Sequence, residues 1–372
     1  MTTRVLIIGA GLSSGLLVDR LQQRADVELT VLEGGDAPGG NHTWCFHDTD
    51  VSGATLQWLK PFTSKSWRDH DVAFPSFTRT LSGEYFAIRS HDFAKRVTQR
   101  LGSKLRTRTR ARDVTATTVT LESGEKLDAD LIIDARGTQS DTNSGFQKFL
   151  GREVLLEKPH GLTRPLLMDA SVKQLDGFRF IYVLPWDERR VLIEDTRYAD
   201  TADIDAPAFR SEIDAFLTAR GWKIEAVERE ELAALPIPFA GNAPSFSRPV
   251  IGVSGGFFHA TTGYSVPFAA DIAERIASLP TLDAHALTTL LNARARDHWH
   301  EMGFFRLLNR MLFKGAEPAE RVKVFESFYR HSPELIARFY AGKLTWADKL
   351  IALRRGAPTV PAFRAMKAAW GS

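Results

Sequence analysis

The sequence predicts an α/β fold: a parallel, nucleotide-binding sheet of Rossmann type, interrupted by an inserted mixed β-sheet region and followed by helices. Three observations predict it. The chain opens on an apolar strand, a glycine turn, a helix and a second strand that ends at an acid. Two later stretches, 129–137 and 249–256, are again apolar runs that end at glycines. The residues between them read as further strands and a helix of their own.

The opening justifies the first elements. Val5-Leu-Ile-Ile8 is a buried-strand run, and Gly9-Ala-Gly-Leu-Ser-Ser-Gly15 leads into a helix whose apolar stripe is Leu16, Leu17 and Leu21, with Val18 beside it. Residues 27–32 form the second strand. Glu33 follows, 22 residues after Gly11, close to the roughly 20 expected of an acid that receives ribose hydroxyls. Gly9 permits the tight turn, and Gly11 lets the backbone approach a pyrophosphate. Leu12 and Ser13 open the helix, whose free N–H groups and positive dipole end favour phosphate. Ser14 stands where a third glycine is usual, and a residue that small still allows close helix–strand packing.

The glycine-rich run 34–41, with Gly40 and Asn41, resembles the loop that lies along the cofactor in FAD-dependent enzymes of the glutathione-reductase-like fold. Residues 129–137 fit a strand that returns beneath that cofactor and ends at Gly137. Residues 249–256 fit another strand. Thr261-Thr-Gly-Tyr-Ser-Val-Pro267, which contains the expected cofactor-binding Gly263, precedes a helical stripe at Ala270, Ile272 and Ile276. Pro267 suits a first helical turn, so this helix N-terminus is expected to face the flavin. Ser90 is the expected N-cap of a helix that starts at His91. The expected FAD-binding domain is thus discontinuous, 1–48, 85–140 and 245–290. The inserted mixed β-sheet domain, 49–84 and 141–244, would hold substrate, with strands at 178–184 and 191–193 and a helix at 209–217. Residues 291–372 are expected to form a helical, basic, membrane-docking region.

Composition bounds the chemistry. With 372 residues, 44% hydrophobic and 25% charged, the chain has ordinary globular values, which excludes a disordered or collagen-like chain. Cys45 is the single cysteine, so no intrachain disulfide and no cysteine-based zinc knuckle can form; no other metal-ligand spacing stands out. The opening residues carry no signal-peptide pattern. The late uncharged stretch 249–270 holds too many Gly, Thr and His residues for a membrane-spanning helix. Net charge is +3, yet residues 294–372 hold 15 Lys/Arg against 7 Asp/Glu and 12 aromatic residues. Such a tail suits an anionic partner. Within 304–314, apolar residues fall at 304, 307, 308 and 311, with Arg306, Asn309, Arg310 and Lys314 at polar positions. That is the pattern of a basic amphipathic helix on an anionic bilayer, and equally of a helix packed on a core.

The chemically sharp feature is Val191-Leu-Ile-Glu-Asp-Thr-Arg-Tyr198, an apolar strand expected to end in the adjacent carboxylates Glu194 and Asp195. Neighbouring strand residues point to opposite faces, so at most one of the two is expected to enter a given cavity. Solvated or arginine-paired acids give the same pattern. The sequence resembles the bacterial lycopene beta-cyclases. The resemblance is carried by Val5-Leu-Ile-Ile-Gly-Ala-Gly-Leu12, Pro38-Gly-Gly-Asn-His-Thr-Trp44, Leu192-Ile-Glu-Asp-Thr-Arg-Tyr198, Phe258-His-Ala-Thr-Thr-Gly-Tyr-Ser-Val-Pro267 and Arg338-Phe-Tyr-Ala-Gly342. It spans essentially the whole chain.

The resemblance implies a non-redox isomerase that converts lycopene to beta-carotene by way of gamma-carotene. Reduced FAD is required, with NAD(P)H as the reductant, and the essential acid falls at Glu194. Protonation of a terminal alkene gives a tertiary carbocation, the neighbouring double bond attacks it, and loss of a ring proton completes the product. The acid must stay protonated near neutral pH, whereas a free Glu titrates near about 4.3. Burial, or a second carboxylate such as Asp195, raises that value. An aromatic face stabilises a desolvated cation by about 2 kcal/mol; Phe257, Phe258, Tyr264 and Trp44 are the candidates. His259 is either the acceptor of the final proton or a satisfied loop histidine. The expected partners are lycopene, gamma-carotene, an anionic membrane surface and other carotenoid-pathway enzymes, with no nucleic acid. The protein would be peripheral on the cytoplasmic face of the cell membrane. Two rivals stay open: a redox flavoprotein of the same fold, such as a hydroxylase or prenyl reductase, and a non-catalytic carotenoid-binding flavoprotein.

Overall fold

The computed structural model describes residues 2–137 and 143–356. The expected domain boundary at 140–141 and the end of the basic tail therefore lie outside the described residues. The chain runs β1 (Thr3–Ile8), α1 (Leu12–Leu21), β2 (Val27–Leu32), β3 (Thr43–His47), α2 (Gly53–Leu59), β4 (Lys65–Phe74), β5 (Phe77–Arg89), α3 (Ser90–Leu101) and β6 (Leu105–Arg106). A small meander, β7 (Ala111–Val114), β8 (Thr118–Leu121) and β9 (Lys126–Asp128), leads into β10 (Leu131–Asp134). Then come β11 (Ser144–Leu156), β12 (Leu166–Asp169), β13 (Phe178–Pro185), β14 (Arg190–Ala199), α4 (Ala206–Ala219) and β15 (Ile224–Pro238). Helices follow: α5 (Val266–Ala277), α6 (Ala284–Glu301), α7 (Gly303–Arg310), α8 (Arg321–Phe328), α9 (Pro333–Tyr340) and α10 (Trp346–Gly356).

β1 pairs in parallel with β2 and β10, in a four-stranded sheet of order β10-β1-β2-β6. Val5 and Ile7 pack with Leu16, Leu17 and Ile272 on one face, and Leu6 and Ile8 with Val119 and Leu121 of the meander on the other. A strand covered on both faces reads as a continuous apolar run, which is why β1 was legible. The expected strand at 249–256 does not form. Val250 makes one parallel bridge to Asp134, and a 3-10 turn starts at Val253. Gly252 and Gly256, with φ of +76° and +83°, bend the chain out of extension. α3 starts at Ser90 itself, without a side-chain cap, because β5 runs straight into the helix through Arg89; the Ser90 N–H donates to the His42 carbonyl.

The larger sheet has eight strands in the order β15-β11-β14-β13-β12-β4-β5-β3. It takes in β3 and all of β5, so the large sheet crosses the expected boundaries at 48 and 85. The sheet curls until its edges meet. Thr43 Oγ1 on β3 donates to Glu231 Oε1 on β15 at 2.9 Å, and Asn41 Nδ2 donates to the Glu230 carbonyl at 2.7 Å. On the convex face α4 lays Phe209, Ile213 and Leu217 against Leu150, Ile181 and Ile193. The concave face carries Trp67, Tyr85, Trp186 and Leu192, with Cys45, Tyr182 and Tyr264 packed on them.

The helix expected over 304–314 is α7, continued by a π-turn at Met311–Gly315, and it is turned the other way about. Asn309 is fully buried: its amide donates to the carbonyls of Pro238 (3.0 Å) and Ala260 (2.9 Å). Arg306 is buried over Trp299 and donates to the Trp299 carbonyl at 2.6 Å. These inward polar groups satisfy loop carbonyls, and the apolar stripe Phe304, Leu307, Leu308 and Met311 is left only partly covered. No helix among the described residues is long and apolar enough to cross a membrane.

Candidate active site

A cleft of ≈ 510 Å³ opens at the C-terminal edge of the small sheet. Gly9, Gly11, Leu12, Ser13, Glu33, Gly40 and Gly137 line it, with His42, Trp44, Arg110 and Ser265. Gly9 has φ +96°, and a Cβ there would lie 2.8 Å from the Ala135 carbonyl oxygen, so only glycine fits. A Cβ on Gly11 would meet nothing within 4 Å; the backbone here borders open space. No side chain caps the N-terminus of α1, so its N–H groups remain for an anion. Glu33 accepts from Ala10 N–H (2.8 Å) and Gly35 N–H (2.7 Å), which holds the glycine turn closed as well as placing the acid. This donor set fits an FAD: the open N-terminus of α1 would take its phosphates and Glu33 its ribose. Two expected cofactor residues lie elsewhere. The Asn41 side chain ties its loop to β15, and Gly263 (φ +71°) makes a turn against Leu235.

β14 runs on to Ala199, so the two acids stand in mid-strand rather than at a strand end. Alternation separates them. Leu192, Glu194, Thr196 and Tyr198 share the concave face, and Ile193, Asp195 and Arg197 the convex one. Glu194 pairs across the ladder with Tyr182 on one side and Gly151 on the other, and Gly151 pairs in turn with Glu231. The protein surrounds Glu194, although it keeps some free surface, as a group that lines a cavity does. Burial first, and the negative neighbour Glu231 second, push its carboxyl up to about 8; a hydrogen bond from the Thr196 hydroxyl (2.5 Å) works against them. Around it lies a tyrosine chain. Tyr182 Oη meets Cys45 Sγ at 3.1 Å and Tyr85 Oη at 2.9 Å, and Tyr85 Oη meets Tyr264 Oη at 2.8 Å. The Tyr264 ring lies 5.7 Å from that of Tyr340, which lines an apolar groove with Tyr198, Leu308, Phe325 and Phe328 beside α10.

Asp195 is not with Glu194. It is fully buried beneath α4, where Arg179 Nε donates at 3.0 Å and Arg197 Nη2 at 2.9 Å. The two guanidinium groups make it a structural ion-pair centre. His259 is likewise engaged: Nε2 bonds the Phe339 carbonyl at 2.9 Å, and Nδ1 accepts from Thr261 and Thr262 N–H at 3.2 Å. Burial holds it neutral, down at about 3, so the satisfied loop histidine is what the structure contains. Of the aromatic candidates only Tyr264 joins the acid's cluster. Phe257 lies in the core under the small sheet, Phe258 lines a separate cavity near His298, and Trp44 borders the nucleotide cleft. Tyr85, Tyr182, Gly151, Arg229 and Glu231 were missed by sequence reasoning. Glu231 ends a charged run, 228–231, that reads as solvated surface.

A sheet with a free glycine turn and a second, curled sheet that carries a buried acid among aromatic side chains define an FAD-binding α/β flavoprotein fold. Solved structures of that class share it. A flavin-dependent halogenase from Xanthomonas campestris superposes with a TM-score of 0.63 at 10% identity, over 100% of this chain and 94% of that one. A geranylgeranyl bacteriochlorophyll reductase-like protein from Thermoplasma acidophilum gives 0.60 at 10% identity, over 96% and 97%. The lycopene cyclase protein family matches residues 4–367, and the chain belongs to that family. It is 40% identical to the lycopene beta-cyclase of Pantoea ananas, over 98% of this chain and 97% of the relative. The lycopene beta-cyclase of Paracoccus sp. (strain N81106 / MBIC 01143) is also 40% identical, over 97% and 95%.

Proposed function

We propose that this chain is a lycopene beta-cyclase, an isomerase that closes the ends of lycopene to beta-carotene through gamma-carotene without net redox change. The observation that carries the reading is Glu194, a carboxyl that burial and its neighbours push up to about 8 on a face built largely of aromatic and apolar side chains. Its proton adds to the terminal alkene and leaves a tertiary cation. The π electrons of the neighbouring double bond form the ring bond and move the cation into the ring. Loss of a ring proton, which the Glu194 carboxylate can take back, restores the acid and balances the reaction. Tyr182, Tyr85 and Tyr264, linked through their hydroxyls beside Glu194, would line the cation's surroundings and exclude the water that would trap it as an alcohol. When bound, reduced FAD would supply electron density that stabilises the cation; Gly9, Gly11, Leu12, Ser13 and Glu33 would hold it, with NAD(P)H as the reductant. The apolar groove beside α10 is lined by Tyr340, whose ring packs against Tyr264 of the acid's tyrosine chain, which suits a hydrocarbon substrate taken from the cytoplasmic face of a membrane.

Glu194→Gln keeps shape and polarity but removes the proton donor, a change that typically costs about 10²–10⁴-fold. The test is beta-carotene formation from lycopene with reduced FAD, read by absorption and chromatography. A Glu194→Gln protein that cyclises at the wild-type rate rejects the acid. Flavin oxidised once per turnover identifies the redox rival.

A further inference from the structure

Glu231 shares the face of Glu194, and no part of the mechanism above uses it. The two residues lie on β15 and β14 with β11 between them, both in register with Gly151. Two strand spacings put their Cα atoms about 10 Å apart, and glycine is the one residue that leaves the space between them unfilled. A Cβ on Gly151 would lie 3.3 Å from Glu231 Cγ and 3.3 Å from Leu192 Cδ1. Glu231 is buried and anchored: Arg229 Nη1 donates to Oε2 at 2.8 Å and Thr43 Oγ1 to Oε1 at 2.9 Å. Arg229 is itself fixed by Asn41 Oδ1 (3.1 Å), Thr43 Oγ1 (2.7 Å) and Glu153 (3.3 Å). Burial raises the Glu231 carboxyl as well, but the Arg229 guanidinium and the Thr43 hydroxyl work against it, whereas Glu194 has one hydroxyl partner among the described residues. When two acids face each other, the one with the cation ionises and the other keeps its proton.

We propose that Glu231 is a positioning residue for the catalytic acid: a fixed carboxylate, locked by Arg229 and Thr43 across the gap at Gly151, that keeps Glu194 in its proton-donating form. The inference rests on the reading of Glu194 as the acid. It also makes the acid depend on the stretch Asn41–Thr43, next to the nucleotide cleft, because that stretch holds the lock. Other charged or titratable groups face the pair: Glu153 on β11, Arg89 on β5, Cys45 on β3, Tyr182 on β13 and His42 in the loop. Glu153 is neutralised by Arg89 at 2.9 Å, and Asp195 lies on the reverse face between two arginines.

The experiment is the infrared C=O stretch of the protonated Glu194 carboxyl, followed against pH in the FAD-loaded protein without substrate and assigned by its loss in Glu194→Gln. Removing a like charge at this range is expected to move the titration down by about one pH unit. In Glu231→Gln the midpoint should fall by that amount, and the upper limb of the kcat/KM profile should fall with it, a loss of about five-fold at pH 8. Glu231→Asp keeps the charge and should restore both. Glu231→Ala replaces the Gln variant if that one does not fold, with folding read by the thermal shift on adding FAD. An unchanged midpoint in Glu231→Gln or Glu231→Ala overturns the proposal. Absence of any Glu194-dependent C=O band in the wild type above pH 6 overturns instead the reading of Glu194 as the acid.

Discussion

Glu194 carries opposite consequences for activity and for stability. Its folded value, about 8, lies above the ordinary 4.5. Between those values the folded chain binds more protons than the unfolded one, so the contribution of Glu194 to stability is lost as pH rises through that window. Glu194→Gln is therefore expected to melt higher than wild type at pH 9 and at the same temperature at pH 4. Equal differences at the two pH values would mean an ionised Glu194 at neutral pH. Asp195→Asn should act on the fold. It leaves Arg179 and Arg197 facing an uncharged amide in a buried site, and breaking such a pair costs about 3–5 kcal/mol. Urea unfolding should show that loss, and the pH profile of the remaining folded enzyme should move down less than in Glu231→Gln, because Asp195 raises Glu194 less than Glu231 does; a larger shift would return Asp195 to the chemistry. The split between the two acids was legible in strand alternation. Which face each takes was not, because that depends on where α4 lands, and Glu231 was hidden because strand register leaves no mark in a single sequence.

At the scale of elements, periodicity located helices well and their orientation poorly. The stripe at 304, 307, 308 and 311 marked α7, but the loop carbonyls at Pro238 and Ala260 recruited Asn309 inward, and hydrophobic period carries no record of that demand. An exposed apolar surface lies on α10 instead. Trp346 is 81% exposed, Leu350 55% and Ile351 40%, and Trp346 and Leu350, at i and i+4, share one side of the helix. Lys349 lies between them, 5.3 Å from the Trp346 ring. Burying a side chain of this size in an apolar phase contributes about 1.5–3 kcal/mol. Trp346→Glu with Leu350→Glu should lower binding to vesicles at least about ten-fold with the melting temperature unchanged. Undiminished cosedimentation of that double variant would move the docking surface elsewhere.

For the whole molecule, charge is segregated: the +8 of residues 294–372 sits on a chain of net +3. Binding to anionic vesicles should therefore weaken as salt shortens the Debye length from about 10 Å at 0.1 M to about 3 Å at 1 M. Binding that is equal on neutral vesicles and indifferent to salt would leave only the apolar part. The nucleotide sheet was readable because its motif is local, built within about thirty residues. The acid's surroundings are not local at all, and the meeting of the two edges of the large sheet has a consequence for how the molecule is made. Thr43 and Glu231, which close it, are 188 residues apart in sequence. At about 5–20 residues per second, that is on the order of 10–40 s of ribosomal synthesis. Throughout that interval β3 has no partner across the mouth, and the aromatic face is bare in the nascent chain. Slower translation lengthens this exposed period, so yield of native enzyme in the cell is governed by the delay before β15 arrives, and holdase chaperones that cover apolar surface should raise it.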